Sequence, residues 1–259
     1  IILILVGASR AVEMLVVGAR RRRGLGVTHL LIVGAGETAR TIMRAVVARP
    51  DLGYEIIGFV GDDATNPPAD IGRYPALGST ASLAEVISQH NVDEVIIMGG
   101  AFGLNQYGTG NQTPFAEFNV WQDPDAAFLV FRSGVPITVM GLDVTNDPSS
   151  ALDAADLALL RTGTSREAAL AAELLDYALR GHPNCPMHDP LAVAVALDRS
   201  LFEFVSGSVY VVTRDDEERG RTLLQTLELS AATHPVVQVA SAVDGPRFKQ
   251  LFLSRIRES

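Results

Sequence analysis

Short apolar runs alternate with stretches of helical spacing along most of the chain. His29 to Val33 is a run of the kind a buried strand shows. Gly34 and Gly36 follow as a turn. From Glu37 to Ala48 the apolar positions recur at helical spacing, and Pro50 stops the helix. Tyr54 to Val60 reads as a second strand, ending at Asp62 and Asp63. "NPPADIGRYPALGS" is a Pro/Gly-rich loop. Ser82 to His90 reads as a helix, and Val92 to Met98 as a third strand closed by Gly99 and Gly100.

The second half keeps the alternation. Asp123 caps a helix with Pro124 at its first position, running to Arg132 and closed by Gly134. "VPITVMGLDVT" reads as a strand carried through to Asp143 and Thr145. Ser165 caps the long helix "REAALAAELLDYALR", which Gly181 ends. "CPMHDPLAVAVAL" is a loop entering a helix near Asp189. Phe202 to Thr213 carries strand signals, with Gly207 at a hairpin or bend. "RDDEERGR" is polar and exposed, "PVVQVASAV" is a strand, and Arg247 to Ile256 is a terminal helix.

Strands alternating with helices predict an α/β fold with a doubly wound, mostly parallel sheet. The expected division is an N-terminal segment over 1–27, a Rossmann-like part over 28–98 and a second part over 99–259. The first residue is Ile1 rather than Met, which reads as a fragment. The opening apolar run is broken by Arg10 and Glu13, is too short to span a bilayer, and ends in Arg20 to Arg23. Basic residues flank membrane helices on the inside, so the run reads as the cytoplasmic remnant of one. A surface helix with a basic tail is the alternative.

Composition narrows the function classes. The chain has 259 residues, 47% of them hydrophobic, so a sizeable core can be buried. Its net charge of −9 argues against broad nucleic-acid binding, which needs a basic surface. The single cysteine, Cys185, forms no internal disulfide and fits a reducing, cytoplasmic setting.

"GAGETA" has the G-x-G-x-x-A form after a strand and at the start of a helix. Gly34 and Gly36 would let the backbone approach a phosphate at the helix N-terminus. A tight turn with no ligand is the equal alternative. "HLLIVGAGETARTIMRAV", "LGYEIIGFVGDD" and "IGRYPALGSTASLAEVISQHNVDEVIIM" together resemble the nucleotide-binding-like domain of polyprenyl glycosylphosphotransferases. In that family, membrane helices and a basic stretch come first, and the catalytic domain follows later. Its catalytic domain has no counterpart here.

The chain changes character at Met98-Gly99-Gly100. A glycine pair after a strand lies where parallel sheets bind ligands. "GNQTPFAEFN" then gathers Asn111, Glu117 and Asn119, a set that suits the hydroxyls of a sugar. In "MHDP", Asp189 can cap a helix or bind a hard cation, and His188 titrates near neutrality. Taken singly, Asp189-Pro190 is an ordinary helix start, His188 a surface histidine, Asn111 and Asn119 turn residues and Glu117 a solvated charge.

Together, "IIMGGA", "GNQTPFAEFNVWQDPDAAFLVFRSGVPITVMGLDVT" and "MHDPLAVAVALDRSLF" resemble the C-terminal part of the inosine-uridine-preferring nucleoside hydrolases, over roughly residues 94 to 259. The resemblance implies hydrolysis of ribonucleosides to base and ribose, within nucleoside metabolism such as purine salvage. It implies a calcium ion chelating two ribose hydroxyls, with Asp189 as a ligand. His188 would be the acid that helps the base depart. Asn111, Glu117 and Asn119 would hold the ribose, chiefly at its 5′-hydroxyl, and Met98 would line the sugar site. A dimer or tetramer is implied as well.

The family also opens with an acidic cluster, D-x-D-x-G-x-D-D, that supplies most calcium ligands and the base. This chain lacks it. Asp62-Asp63 have the wrong spacing, and a further ligand segment before "MGG" is replaced. The chain reads as two half-proteins joined in a shared strand near Asp93 to Met98. The expectation is weak calcium binding and greatly reduced hydrolysis, because calcium takes about 6–8 oxygen ligands. The alternatives are a nucleotide- or nucleotide-sugar-binding module and an inactive fusion.

Overall fold

The computed structural model describes residues 28–33, 47, 54–61, 70–79, 85–86, 89, 94–214, 216–226 and 236–257. The chain divides into two compact units, Ile1–Val95 and Ile96–Ser259. The division falls inside the strand that the sequence reading treats as shared.

In the first unit, strands β1 (Thr28–Val33), β2 (Tyr54–Gly61) and β3 (Ala76–Ser79) form a sheet in that order, and both pairs are parallel. Phe59 and Val60 are fully buried. β3 is a correction: it lies inside the stretch read as a Pro/Gly-rich loop. Val47, Glu85, Val86 and Gln89 are helical, within the two helices expected there. Gly34, Gly36, Asp62 and Asp63 lie outside the described residues.

The second unit holds a five-stranded sheet in the order β4 (Val95–Met98), β5 (Ile137–Met140), β8 (Val237–Val243), β6 (Phe202–Val211), β7 (Thr222–Thr226). β5 and β8 pair in parallel. All four residues of β5 are buried, as expected of a strand covered on both faces. β6 runs antiparallel to both β8 and β7. The fold is thus α/β with a mostly parallel sheet, ending in an antiparallel hairpin. Gly207 is not at a bend: it sits within β6 and pairs with Val237 on one side and Thr226 on the other.

Among the described residues the α-helices of the second unit are, in chain order, α1 (Phe118–Gln122), α2 (Pro124–Phe131), α3 (Leu142–Thr145), α4 (Ala154–Leu160), α5 (Arg166–Ala178), α6 (His188–Leu197) and α7 (Gly245–Arg257). Asp123 caps α2 through the Ala126 N–H, and Ser165 caps α5 through the Ala168 N–H. α5 turns Ala168, Ala172 and Leu175 inward at helical spacing. The core joins Met140, Val144, Leu160, Leu191, Phe202 and Phe248. Asp153 and Asp156 form a capping box at the start of α4, and Lys249 of α7 pairs with Asp156 at 2.5 Å and Asp153 at 3.4 Å.

Two boundaries differ from expectation. β5 stops at Met140, and Leu142 to Thr145 turn into α3, whose N-cap is Gly141. α6 starts one residue early. Its N-cap is Met187, which has no side-chain cap, so Asp189 lies inside the first turn.

Candidate functional site

The site grows from the tips of β4 and β5. The Gly99 N–H donates to the Met140 carbonyl at 3.1 Å, and the Leu142 N–H to the Gly100 carbonyl at 2.9 Å. Gly100 has φ +85, and a Cβ there would lie 2.8 Å from the Phe102 ring. Only glycine turns the chain so sharply here.

Glu117 is 2% exposed and caps α1. Its carboxylate accepts from the Asn119 N–H at 2.8 Å, the Val120 N–H at 3.1 Å and the Gly100 N–H at 3.1 Å. A carboxylate has about four acceptor positions, so three are filled by backbone. Glu117 is therefore no solvated charge. It staples the 111–119 segment to the β4 tip. Asn111, exposed, uses its Oδ1 to accept from the Phe118 N–H at 2.8 Å. Asn119, also exposed, donates from Nδ2 to the Met98 carbonyl at 3.4 Å and approaches the Met98 sulfur at 3.3 Å. Met98, Asn119 and Glu117 are thus one connected group.

The hairpin of β6 and β7 braces this segment. Ala116 bridges Arg221, and the Arg221 guanidinium lies 5.1 Å over the Phe115 ring while pairing with Glu218. Thr222 accepts from the Ala101 N–H at 3.0 Å and donates to the Ala101 carbonyl at 2.9 Å.

Asp143, fully buried in α3, anchors the next loop. It accepts from the Phe102 N–H at 2.9 Å and the Leu104 N–H at 2.6 Å. Asn105 Nδ2 donates to the Asp143 carbonyl at 2.9 Å. The loop returns so closely that a Cβ on Gly108 would sit 2.0 Å from the Asp143 carboxylate.

His188 opens α6, half-buried, with Nδ1 2.9 Å from the Thr145 hydroxyl. Burial holds its imidazole below the ordinary range, against the opposing pull of the Asp189 and Glu117 carboxylates. α3 connects the two segments: Leu142 donates to the Gly100 carbonyl, the Gly100 N–H donates to Glu117, and Thr145 meets His188. Asp189 is exposed.

Among the described residues, no three His, Cys, Asp or Glu side chains gather closely enough to hold a metal ion. Asp189 alone does not fit the oxygen cage that calcium takes. Among the described residues, no helix is long and apolar enough to cross a membrane.

The structure thus brings Met98, Glu117, Asn119 and His188 into one neighbourhood, with Asn111 holding the same segment from outside. Sequence reasoning missed Thr145, Asp143 and Thr222. The signal for the first two was present: "GLDVT" leaves the carboxyl end of a central strand, where α/β folds place their chemistry.

Residues 75–250 match the family model described as inosine-uridine preferring nucleoside hydrolase. Residues 1–98 match a second model, described as a CoA-binding domain, over the segment that resembles polyprenyl glycosylphosphotransferases. The pyrimidine-specific ribonucleoside hydrolase RihA of Salmonella arizonae is 34% identical over 194 residues, covering 70% of this chain and 60% of that protein. RihA of Citrobacter koseri is 33% identical over 193 residues, with shares of 70% and 59%. The chain therefore spans about 60% of the length of these relatives. Among solved structures, a purine-preferring ribonucleoside hydrolase from Gardnerella vaginalis superimposes with a TM-score of 0.63 at 23% identity, covering 95% of this chain and 94% of that one. A plant nucleoside hydrolase, PpNRh1, gives the same score and identity over 95% of both chains. With its fold shared and more than half of its length matched by the family model, this chain belongs to the inosine-uridine preferring nucleoside hydrolase family.

Proposed function

We propose that this chain carries the sugar- and base-facing part of a site that hydrolyses the N-glycosidic bond of ribonucleosides, giving free base and ribose at a greatly reduced rate. The observation that carries this reading is that α3 ties both parts together: Leu142 is bonded to Gly100, whose N–H Glu117 accepts, and Thr145 meets the His188 ring. Asn111 and Asn119 would hold ribose hydroxyls, with Met98 lining the sugar. Glu117 would keep this group in register and offer its remaining acceptor position.

Bond cleavage builds positive charge on the sugar ring, and the buried Glu117 carboxylate would stabilise it. His188 would assist the departing base, an effect worth about 10²–10⁴-fold in well-formed sites. Calcium, where a family site holds it, orients the ribose hydroxyls. Among the described residues Asp189 is the one proposed to contribute to it, so no step is assigned to the ion. The organisation that goes with this reading is an N-terminal segment (1–27), a nucleotide-binding-like part (28–98) and the hydrolase-like part (99–259). A cytoplasmic setting and a homo-oligomer are proposed with it, on the family resemblance alone.

The test is ribose release from inosine and uridine, with and without calcium, for the chain and its His188→Ala variant. The expected result is slow turnover that falls at least tenfold in the variant. Turnover indistinguishable between the two overturns the reading. A micromolar calcium dissociation constant by calorimetry overturns the part concerning the metal.

A second reading applies to residues 1–98, because they match the CoA-binding domain model. There Gly34 and Gly36 would admit a nucleotide or nucleotide-sugar phosphate at a helix start. Stabilisation by coenzyme A or a UDP-sugar, lost on Gly36→Val, is the expected outcome. No thermal shift with either ligand removes this reading.

A further inference from the structure

We infer that Thr145 is a positioning residue that locks His188 in the form carrying its proton on Nε2, so that the site presents a hydrogen-bond donor to its ligand. This deepens the reading above, and it depends on that reading only for the ligand's identity.

The argument is one of accounting for a single hydroxyl. Thr145 is fully buried at the end of α3. Among the described residues, His188 Nδ1, at 2.9 Å, is the partner of its Oγ1. A buried O–H that donates to nothing is costly, so its hydrogen must point at an acceptor. In a helix a threonine hydroxyl commonly donates to the carbonyl four residues back. Here that carbonyl belongs to Gly141, and it already accepts from the N–H groups of Val144 and Thr145, both at 3.1 Å. A carbonyl oxygen offers two lone pairs, so Gly141 is filled. The Leu142 carbonyl, three residues back, takes the Asn146 N–H and no bond from the Thr145 hydroxyl, so among the described residues the acceptor within bonding distance is the imidazole Nδ1. A nitrogen that accepts carries no proton in the neutral ring, which puts the proton on Nε2.

The alternative, Nδ1–H donating to Oγ1, would strand the Thr145 hydrogen in the core. The surroundings hold the arrangement in place. Asp143, two residues before Thr145, is bound to the 101–105 loop by two backbone donors, and Leu142 is bound to Gly100. α3 is therefore fixed to the β4 tip, and Thr145 is fixed with it.

The consequence is chemical. An Nε2–H group recognises an acceptor: a ring nitrogen or an exocyclic carbonyl of a heteroaromatic base. It rejects a ligand that presents a donor at that point. Thr145 itself touches no ligand. It acts through the ring it orients.

Long-range 15N–1H correlation spectra read the tautomer directly. They are recorded at about pH 8, above the ordinary imidazole range. The His188→Gln variant assigns the signal among the five histidines. The expected spectrum of the unaltered chain is the Nε2–H pattern. Thr145→Ser should keep it, and Thr145→Val should give a mixture. An Nδ1–H pattern in the unaltered chain overturns the inference, and so does an unchanged pattern in Thr145→Val. If the valine variant does not fold, the unaltered chain and the serine variant still decide. The spectrum needs no turnover. An Nε2–H pattern with no ribose released therefore supports the role of Thr145 while removing the hydrolase reading.

Discussion

Two corners of the second unit treat carboxylates in opposite ways. At the tips of β4 and β5, Glu117 and Asp143 are buried and receive five backbone N–H donors between them, three on the first and two on the second. At the start of α6, Asp189 is exposed in the first turn of its helix. A buried charge is tolerated where donors surround it, and it then serves as a fixed point for the backbone. An exposed carboxylate holds nothing and is free to meet a ligand. The corner proposed to face a sugar is thus built by this chain's own loops. Around Asp189, among the described residues, no cluster of metal-ligating side chains forms a cage.

The comparison breaks first at Asp143. Asp143→Ala should strip two charge-assisted hydrogen bonds from the 101–105 loop and open a polar void beside Gly108. Hydrogen bonds to charged groups are worth about 1.5–3 kcal/mol each, so a loss of roughly 3–5 kcal/mol is expected. Urea unfolding measures it. A loss below about 1 kcal/mol would show that the loop does not depend on the carboxylate.

Glu117→Gln should cost less, about 2 kcal/mol, because the amide oxygen keeps some of the three donors while its NH₂ opposes another. Thermal unfolding reads the stability. Should the variant match the original chain, the segment would be held instead by Thr222 and the Arg221–Phe115 contact.

Glu117 also shows how far the sequence could be read. The alternation of apolar runs placed β1, β2, β5 and β8 and most helices, because buried central strands and one-sided helices leave a strong periodic mark. It did not place β7. Its residues Leu223 and Gln225 alternate with more buried neighbours on an edge strand, and that weak pattern resembles a loop. α3 was hidden for a different reason. Four residues make no helical period, and the apolar spacing of "VMGLDV" continues the strand before it. In the site, the types and spacing of Asn111, Glu117, Asn119 and His188 were legible. Their roles were not: Glu117 reads as a ligand for hydroxyls, yet most of its capacity is spent on its own backbone. Which donors reach a carboxylate depends on how distant loops return, and no local pattern records that.

Asp153 carries the contrast to the helices. It accepts from the N–H groups of Asp156 at 3.2 Å and Ala155 at 2.7 Å, with Lys249 at 3.4 Å. The Asp156 N–H, more than the others, holds its carboxyl below the ordinary range. A carboxyl lowered in the folded state adds stability above its unfolded value, near 3.9, and loses it as pH falls through the folded value. The stability difference between the chain and Asp153→Asn should therefore shrink as pH falls below about 5. Parallel acid-unfolding curves for the two would instead mean that the cap contributes no charge-dependent stability.

Asp189→Ala should have the smallest effect on folding. Its carboxylate faces solvent in the first turn of α6, where a negative charge near a helix N-terminus is worth about 0.3–1 kcal/mol, and less in salt. The midpoint of thermal unfolding should barely move, and it should move less at high salt than at low. The same substitution, tested with a ribonucleoside present, separates the two corners. If Asp189 meets the ligand, binding should weaken at least several-fold while the fold is unchanged. If both stability and binding resist the change, Asp189 is a helix-start residue only, and the ligand-facing part of the site ends at His188.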